Sequence, residues 1–276
     1  MRPAGFPYRA VLSDIDGTLL DERRAVSSRT AAAVRRLWSC GVVFALVSGR
    51  MPSGIVPVRE ELGIPAPIVC YSGALVLDAN LDTLHSTVLD ADIASRALSL
   101  IKQEFPQFEP CYFTELDWYV GNASHPAVER EASIVRARPL EADLLGLIRQ
   151  GRLPNKLFCN CADDPEASLL LAGRLRERLP EVNVIRSTSG TMVELVPQGV
   201  DKATGAHALL SHLDIAMSDA LAFGDDANDV PLLEAVGRGV AVAGAAACAR
   251  SAADDVAGAA VDDGVARYLE DLIVRG

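Results

Sequence analysis

Residues 8 to 20 of this 276-residue chain read Tyr8-Arg9-Ala10-Val11-Leu12-Ser13-Asp14-Ile15-Asp16-Gly17-Thr18-Leu19-Leu20. The run from Tyr8 to Ser13 is short, apolar and bounded by Asp14, which predicts a buried strand. Beyond it, Val26, Thr30, Val34, Leu37 and Trp38 recur at helical spacing, with Ser27 placed to cap the N-terminus and Gly41 to stop the helix. A second apolar run, Val42 to Val47, ends at Ser48-Gly49-Arg50. Strand, helix and strand with continuous apolar runs make a βαβ unit of a parallel sheet covered on both faces. The far end repeats the rhythm: helix near Lys202 to Leu213, strand Ala220 to Phe223, the acidic stretch Gly224 to Asp229, helix Val230 to Val236 and strand Val240 to Ala243. Polar residues then gather at the carboxyl ends of strands, where open α/β sheets place their sites.

Between residues 81 and 189 the texture changes. Helices are expected near Ala91 to Glu104 and Glu166 to Arg178, with strands around Cys111 to Val120, Lys156 to Cys161 and Val182 to Ile185. The expectation is an α/β fold, a Rossmann-like parallel-sheet core from residues 1–80 and 190–276, with an inserted α+β domain from residues 81–189.

Composition narrows the function. There are 26 basic and 37 acidic residues, a formal net charge of -11, and half of the chain is apolar. That balance argues against a nucleic-acid or anionic-membrane partner, which needs a basic face. Lys102, Lys156 and Lys202 are the only lysines, and the other 23 basic residues are arginine. The six cysteines, Cys40, Cys70, Cys111, Cys159, Cys161 and Cys248, show no CxxC spacing. Cys159 and Cys161 sit two apart in an apolar run and are expected as core thiols on one strand face. No signal-peptide-like or membrane-spanning apolar stretch is evident, so a reduced cytoplasmic protein is expected. His85, His125, His207 and His212 show no metal-ligand spacing.

Asp14 and Asp16 can face one side of a strand end, and like charges at that separation cost several kcal/mol unless a cation lies between them. A hard divalent ion with oxygen ligands, Mg2+ first, satisfies them, and an Asx turn ending the strand is the plainer alternative. Asp225 and Asp229, with Asp226 and Asn228 nearby, form a second acidic group without the ligand spacing of an EF-hand. If both groups end at one sheet edge, Asp14, Asp16, Asp225 and Asp229 converge on a metal. Ser48 and Gly49 could hold phosphate oxygens, or simply form a turn. Lys202, opening a helix, could neutralise phosphate and the crowded carboxylates, or be an ordinary solvated side chain.

In order and spacing these segments resemble the haloacid dehalogenase superfamily of phosphatases, specifically the Cof-like group with a large inserted cap. The matching stretches are Asp14 to Leu20, Val47 to Arg50, Gly199 to Gly205 and Phe223 to Leu233, with Glu194 to Pro197 and Asp263 to Ala266 also similar. The resemblance implies a Mg2+-dependent hydrolase of a small phosphorylated metabolite, a sugar phosphate first and a phosphorylated cofactor next, in a monomer or weak dimer. It implies Asp14 as nucleophile, Asp16 as acid and base, and Ser48, Gly49, Arg50, Lys202 and Asn228 around the phosphoryl group. Mg2+ would lie on the carboxylates of Asp14 and Asp225 and the backbone carbonyl of Asp16, with Asp229 outside them. A phosphosugar mutase and a catalytically silent phosphometabolite-binding protein are the alternatives. Two departures touch substrate contacts: Tyr71-Ser72-Gly73-Ala74 stands where Asn-Gly is common, and Ala243-Gly244-Ala245-Ala246 where Gly-Asn-Ala is common.

Overall fold

The computed structural model describes residues 6–20, 24–187 and 189–275. The chain opens with β1 (Ala10–Ser13), α1 (Ser28–Ser39), β2 (Val43–Val47), α2 (Pro52–Leu62), β3 (Ile68–Cys70), β4 (Leu75–Leu77) and β5 (Thr83–Ser86). Ser27 caps α1 as expected, its hydroxyl accepting from the Thr30 N–H at 3.0 Å. The next elements are α3 (Ala91–Glu104), β6 (Cys111–Thr114), β7 (Asp117–Val120), α4 (Pro126–Val135), β8 (Leu140–Glu141), α5 (Leu144–Arg149), β9 (Lys156–Asn160), α6 (Pro165–Arg178), β10 (Val182–Arg186) and β11 (Met192–Pro197). The chain ends with α7 (Lys202–His212), β12 (Ala220–Gly224), α8 (Val230–Ala235), β13 (Arg238–Val242), α9 (Ala247–Ala252), β14 (Asp255–Ala257) and α10 (Gly264–Arg275).

These form two compact units, Met1–Gly49 with Ile55–His85 and Asp201–Gly276, and Arg50–Gly54 with Ser86–Val200. The first holds an eight-stranded sheet in the order β14-β13-β12-β1-β2-β3-β4-β5. β1 lies centrally, parallel to β2 on one side and β12 on the other. Ala10, Leu12, Ala45 and Val47 alternate onto one face and pack with Leu209 and Leu210 of α7 and Leu232 and Leu233 of α8. Leu12 is fully buried, so its carboxyl-end neighbour Asp14 is held by a core strand and not by a mobile loop.

The second unit holds a six-stranded sheet in the order β10-β11-β9-β6-β7-β8, antiparallel except between β7 and β8. α3, α5 and α6 cover one face, burying Tyr112, Tyr119, Leu157, Cys159, Val193 and Leu195 against Leu98, Leu147 and Leu171. Cys161 joins that core, so the two thiols are core residues as their spacing implied.

The expected boundaries at 81 and 190 move to Ser86 and Asp201. β5 extends the first sheet. β11, expected with the core, pairs antiparallel with both β9 and β10, and its apolar alternation fits the second sheet. Among the described residues no helix is long and apolar enough to cross a membrane.

Candidate active site

Two strand ends, one short turn and one helix start build the site in the first unit. Asp14 follows β1 and is 5% exposed, its backbone N–H donating to the Phe223 carbonyl at 3.0 Å. Asp225 follows β12, and Asp229 closes the short 3-10 turn Ala227–Asp229 before α8. Lys202 is the first residue of α7, capped by Asp201 and Thr204 through a reciprocal capping box. That box fixes the helix start and brings the lysine inward.

One carboxylate oxygen from each of Asp14, Asp225 and Asp229 lies within 4.8 Å of the others. The Lys202 Nζ donates to Asp14 Oδ1 and to Asp229 Oδ1, each at 2.6 Å. Asp229 Oδ2 accepts the backbone N–H groups of Asp225 and Asp226 at 3.0 and 3.1 Å. Asp229 is fully buried, and both its oxygens are occupied in holding the lysine and the Asp225 loop. Asp225 Oδ1 accepts from the Thr18 hydroxyl at 2.9 Å.

The charges explain what this arrangement wants. Like carboxylates at this spacing repel by roughly 3 kcal/mol per pair at an effective dielectric near 20. Burial holds the Asp14 pKa well above the usual carboxylate range; Lys202 pulls the other way, and Asp229, Asp225 and Asp16 push it further up. Burial and Asp229 likewise push Asp225 up to about 6. Burial disfavours the Lys202 ammonium, but Asp14 and Asp229 outweigh it and raise its pKa, so it stays protonated. One ammonium among three carboxylates leaves an excess of negative charge. All-oxygen donors in that number suit a hard divalent cation, so the residues present fit a metal ion.

The other sequence-derived residues divide. Asp16 is exposed, and its carboxylate lies outside the group of three. Ser48 is 2% exposed at the end of β2, its N–H donating to Val69 O at 2.9 Å and its carbonyl accepting from Ser72 N–H at 3.0 Å. Gly49 follows it in the first unit. Asn228 lies half-buried in the turn between Asp226 and Asp229. Arg50 belongs to the second unit, where its Nη1 donates to the Gly54 carbonyl at 2.9 Å, so it is not among the residues gathered in the first unit.

Sequence reasoning assigned no role to Gly17 or Thr18, although both stand beside the aspartates. Gly17 has φ +81°, and a Cβ there would meet Asp225 Oδ2 at 2.4 Å. The glycine is therefore needed both for its backbone and for the carboxylate beside it. At the two positions that depart from the family pattern, the Ala246 backbone N–H donates to the Asp225 carbonyl at 2.7 Å, and the Tyr71-Ser72 turn adopts φ 52° and 55°. Asn tolerates that left-handed region better than serine does, so this turn holds backbone strain beside Ser48.

The sequence pattern of haloacid dehalogenase-like hydrolases matches residues 11–269. The chain belongs to that family. Within the superfamily it is a Cof-like phosphatase. It is 29% identical over 265 residues to a Haemophilus influenzae protein provisionally named a phosphatase, covering 96% of this chain and 98% of that one. It is 28% identical over 272 residues to the HMP-PP phosphatase of Serratia proteamaculans, covering 95% and 94% of the two chains. A crystal structure of a haloacid dehalogenase-like hydrolase from Bacteroides thetaiotaomicron superposes with a TM-score of 0.85 at 26% identity, over 96% of this chain and 99% of that one.

For this haloacid dehalogenase-like phosphatase, Thr18→Val removes the hydrogen bond that orients Asp225. If the three carboxylates hold a divalent cation, the cation concentration giving half-maximal rate should rise by roughly 10- to 100-fold, as for residues that orient a metal ligand. An unchanged cation dependence would show that Thr18 only fills space.

Proposed function

We propose that the chain is a Mg2+-dependent phosphoric monoester hydrolase of a small phosphorylated metabolite, working through an aspartyl-phosphate on Asp14 in the cytoplasm. The observation that carries this reading is Lys202 Nζ, buried and bonded at 2.6 Å to both Asp14 and Asp229 at the carboxyl edge of a parallel sheet. A structural ion pair has no need of two carboxylates beside a third, whereas phosphoryl transfer needs a nucleophile, a cation for the phosphoryl oxygens and a metal.

In this reading Asp14 attacks phosphorus in line, the P–O bond to the organic group breaks, and Asp16 gives its proton to the departing alkoxide. Asp16 then takes a proton from water, whose oxygen attacks the same phosphorus and releases inorganic phosphate and the Asp14 carboxylate. The exposure of Asp16 beside a buried Asp14 suits a group that must exchange protons with water and substrate in alternation. Ser48 hydroxyl and Lys202 ammonium hold the phosphoryl oxygens as charge shifts onto them. Mg2+ would be held by Asp14, Asp225 and the Asp16 carbonyl, with Asp229 bracing the assembly. When bound it supplies charge neutralisation and Lewis acidity at the phosphoryl group. The first unit is assigned catalysis and the second unit substrate selection.

Sugar phosphates come first as substrates, and the HMP-PP phosphatase relatives keep non-sugar phosphates in view. The test is a panel of phosphorylated metabolites in Mg2+, compared by kcat/KM, with phosphate release from hexose phosphates measured with and without a sugar bisphosphate. Phosphate release without the bisphosphate supports a hydrolase. Hexose phosphate isomerisation that requires it would make the chain a mutase, and saturable binding with no turnover a sensor. Asp16→Asn should cost far more on a sugar phosphate, whose alkoxide needs a proton, than on an activated aryl phosphate. Equal losses on both would remove Asp16 from the acid role.

A further inference from the structure

Gly205 lies buried in α7, shortly after Lys202, and its N–H donates to the Asp201 carbonyl at 3.2 Å as part of the helix. Glycine destabilises a helix at such a position relative to alanine, so its presence there calls for a reason. The surroundings supply one. A Cβ on Gly205 would stand 2.6 Å from the Gly73 Cα and 2.6 Å from Val69 Cγ1, where carbon atoms in good contact are about 3.5–4.0 Å apart. From the other side, a Cβ on Gly73 would overlap the carbonyl oxygen of Asp201. Helix and turn therefore meet backbone to backbone, with no side chain between them.

The segment that carries these contacts, Val69 to Gly73, also holds Ser48. The Ser48 N–H donates to the Val69 carbonyl at 2.9 Å, and the Ser48 carbonyl accepts from the Ser72 N–H at 3.0 Å. On the opposite side of the segment, the residue that Gly73 packs against, Asp201, is the N-cap of α7 and directly precedes Lys202. Val69, Tyr71, Ser72 and Lys202 are all buried. A close-packed interior transmits displacement, and backbone atoms have no rotamers with which to absorb it. The end of β2 and the start of α7 are thus seated on one short piece of chain within the first unit. The Lys202 bonds to Asp14 and Asp229, at 2.6 Å each, leave little slack for a helix that moves.

We propose that Gly73 and Gly205 are positioning residues, whose backbone contact sets where the Lys202 ammonium stands relative to Ser48 and Asp14. Neither glycine touches the substrate. They act through the two groups that hold the phosphoryl oxygens in the proposed reaction. What those groups do rests on the phosphatase reading, whereas the seating of Lys202 by Gly205 is open to a separate test.

Gly205→Ala tests this in the whole chain. Alanine suits a helix, so only the contact changes, whereas any side chain at Gly73, with φ +111°, would add backbone strain of its own. Relieving the 2.6 Å contacts takes a shift of about an ångström, and kcat/KM for p-nitrophenyl phosphate should fall roughly 10- to 100-fold. With three lysines in the chain, ¹³Cε-lysine labelling gives three sets of NMR signals, and Lys202→Met identifies that of Lys202. The Lys202 signal should move in Gly205→Ala while those of Lys102 and Lys156 stay. Val34→Ala, which opens a cavity under α1, should lower Tm and alter neither readout. In a Lys202→Met background Gly205→Ala should cost less than about threefold, because no ammonium is left to misplace. An unmoved Lys202 signal overturns the proposal, as does activity within about twofold of the parent or an equal loss in the Lys202→Met background. A moved signal in a chain whose parent hydrolyses no phosphate ester would instead defeat the phosphatase reading and leave the seating of Lys202 standing. Should Gly205→Ala not fold, V69A/G205A, which clears one of the two contacts, takes its place in the same measurements.

Discussion

Asp14→Asn will lose at least about a thousandfold in turnover while unfolding within a few degrees of the parent. The size of the loss follows from the role: without a nucleophile the displacement has no first step, and single removals of such groups typically cost 10³-fold or more. The survival of the fold follows from the site. Asparagine has the same shape, and Lys202 keeps its bond to Asp229 at 2.6 Å. Burial already disfavours the Asp14 charge, and Asp229 and Asp225 disfavour it further, so neutralising it relieves repulsion as well as removing one partner of the lysine. Initial rates in saturating Mg2+ with a thermal melt of each protein check both halves. Residual activity within tenfold of the parent would remove Asp14 from the nucleophile role.

Lys202→Arg will lose roughly a hundredfold or more in kcat, although the positive charge is kept. The ammonium fits between two oxygens at 2.6 Å each in a site that is 1% exposed. A guanidinium is longer, planar and wider, and it presents a fork suited to one carboxylate and not a point charge shared by two. Fitting it there displaces Asp14, Asp229 or both, and misplacement of reacting groups by about an ångström costs of order a hundredfold. Lys202→Met, which fits but lacks the charge, is the companion variant. If arginine restores activity to within tenfold of the parent while methionine does not, charge alone suffices and the geometric account fails.

The parts of this molecule that were legible in the sequence are those where one local signal agreed with the global pattern. β1, β2 and β12 are continuous apolar runs ending in polar residues, and α1 carries both its cap and its periodicity. Placing their segments on one sheet edge led to the expectation that Asp14, Asp16, Asp225 and Asp229 converge; the structure groups Asp14, Asp225 and Asp229 with Lys202 and leaves the Asp16 carboxylate outside. α2 was not foreseen because it contains Gly54 and Pro57, which read as breakers. α4 was hidden by its cap, His125, whose Nδ1 accepts from the Ala127 N–H in place of the usual Ser or Asp. β11 was misplaced because Glu194 to Pro197 adjoins the Lys202 segment in sequence, whereas its pairing partners lie further back, in β9 and β10. The buried ion pair of the second unit, Lys156 with Glu194, is invisible to local reading: its members are 38 residues apart in otherwise apolar strands. The scarcity of lysine was the one signal that could have marked it.

The central claim is covalent chemistry on Asp14, and rapid chemical quench tests it most directly. Enzyme is mixed with a ³²P-labelled substrate chosen from the panel, stopped in acid within milliseconds, and digested to locate the label. The account predicts acid-stable, hydroxylamine-sensitive label on the peptide bearing Asp14, formed and lost at rates compatible with turnover and absent from Asp14→Asn. Steady turnover with phosphate released and no label on that peptide at any time point, or label on another residue, would contradict it.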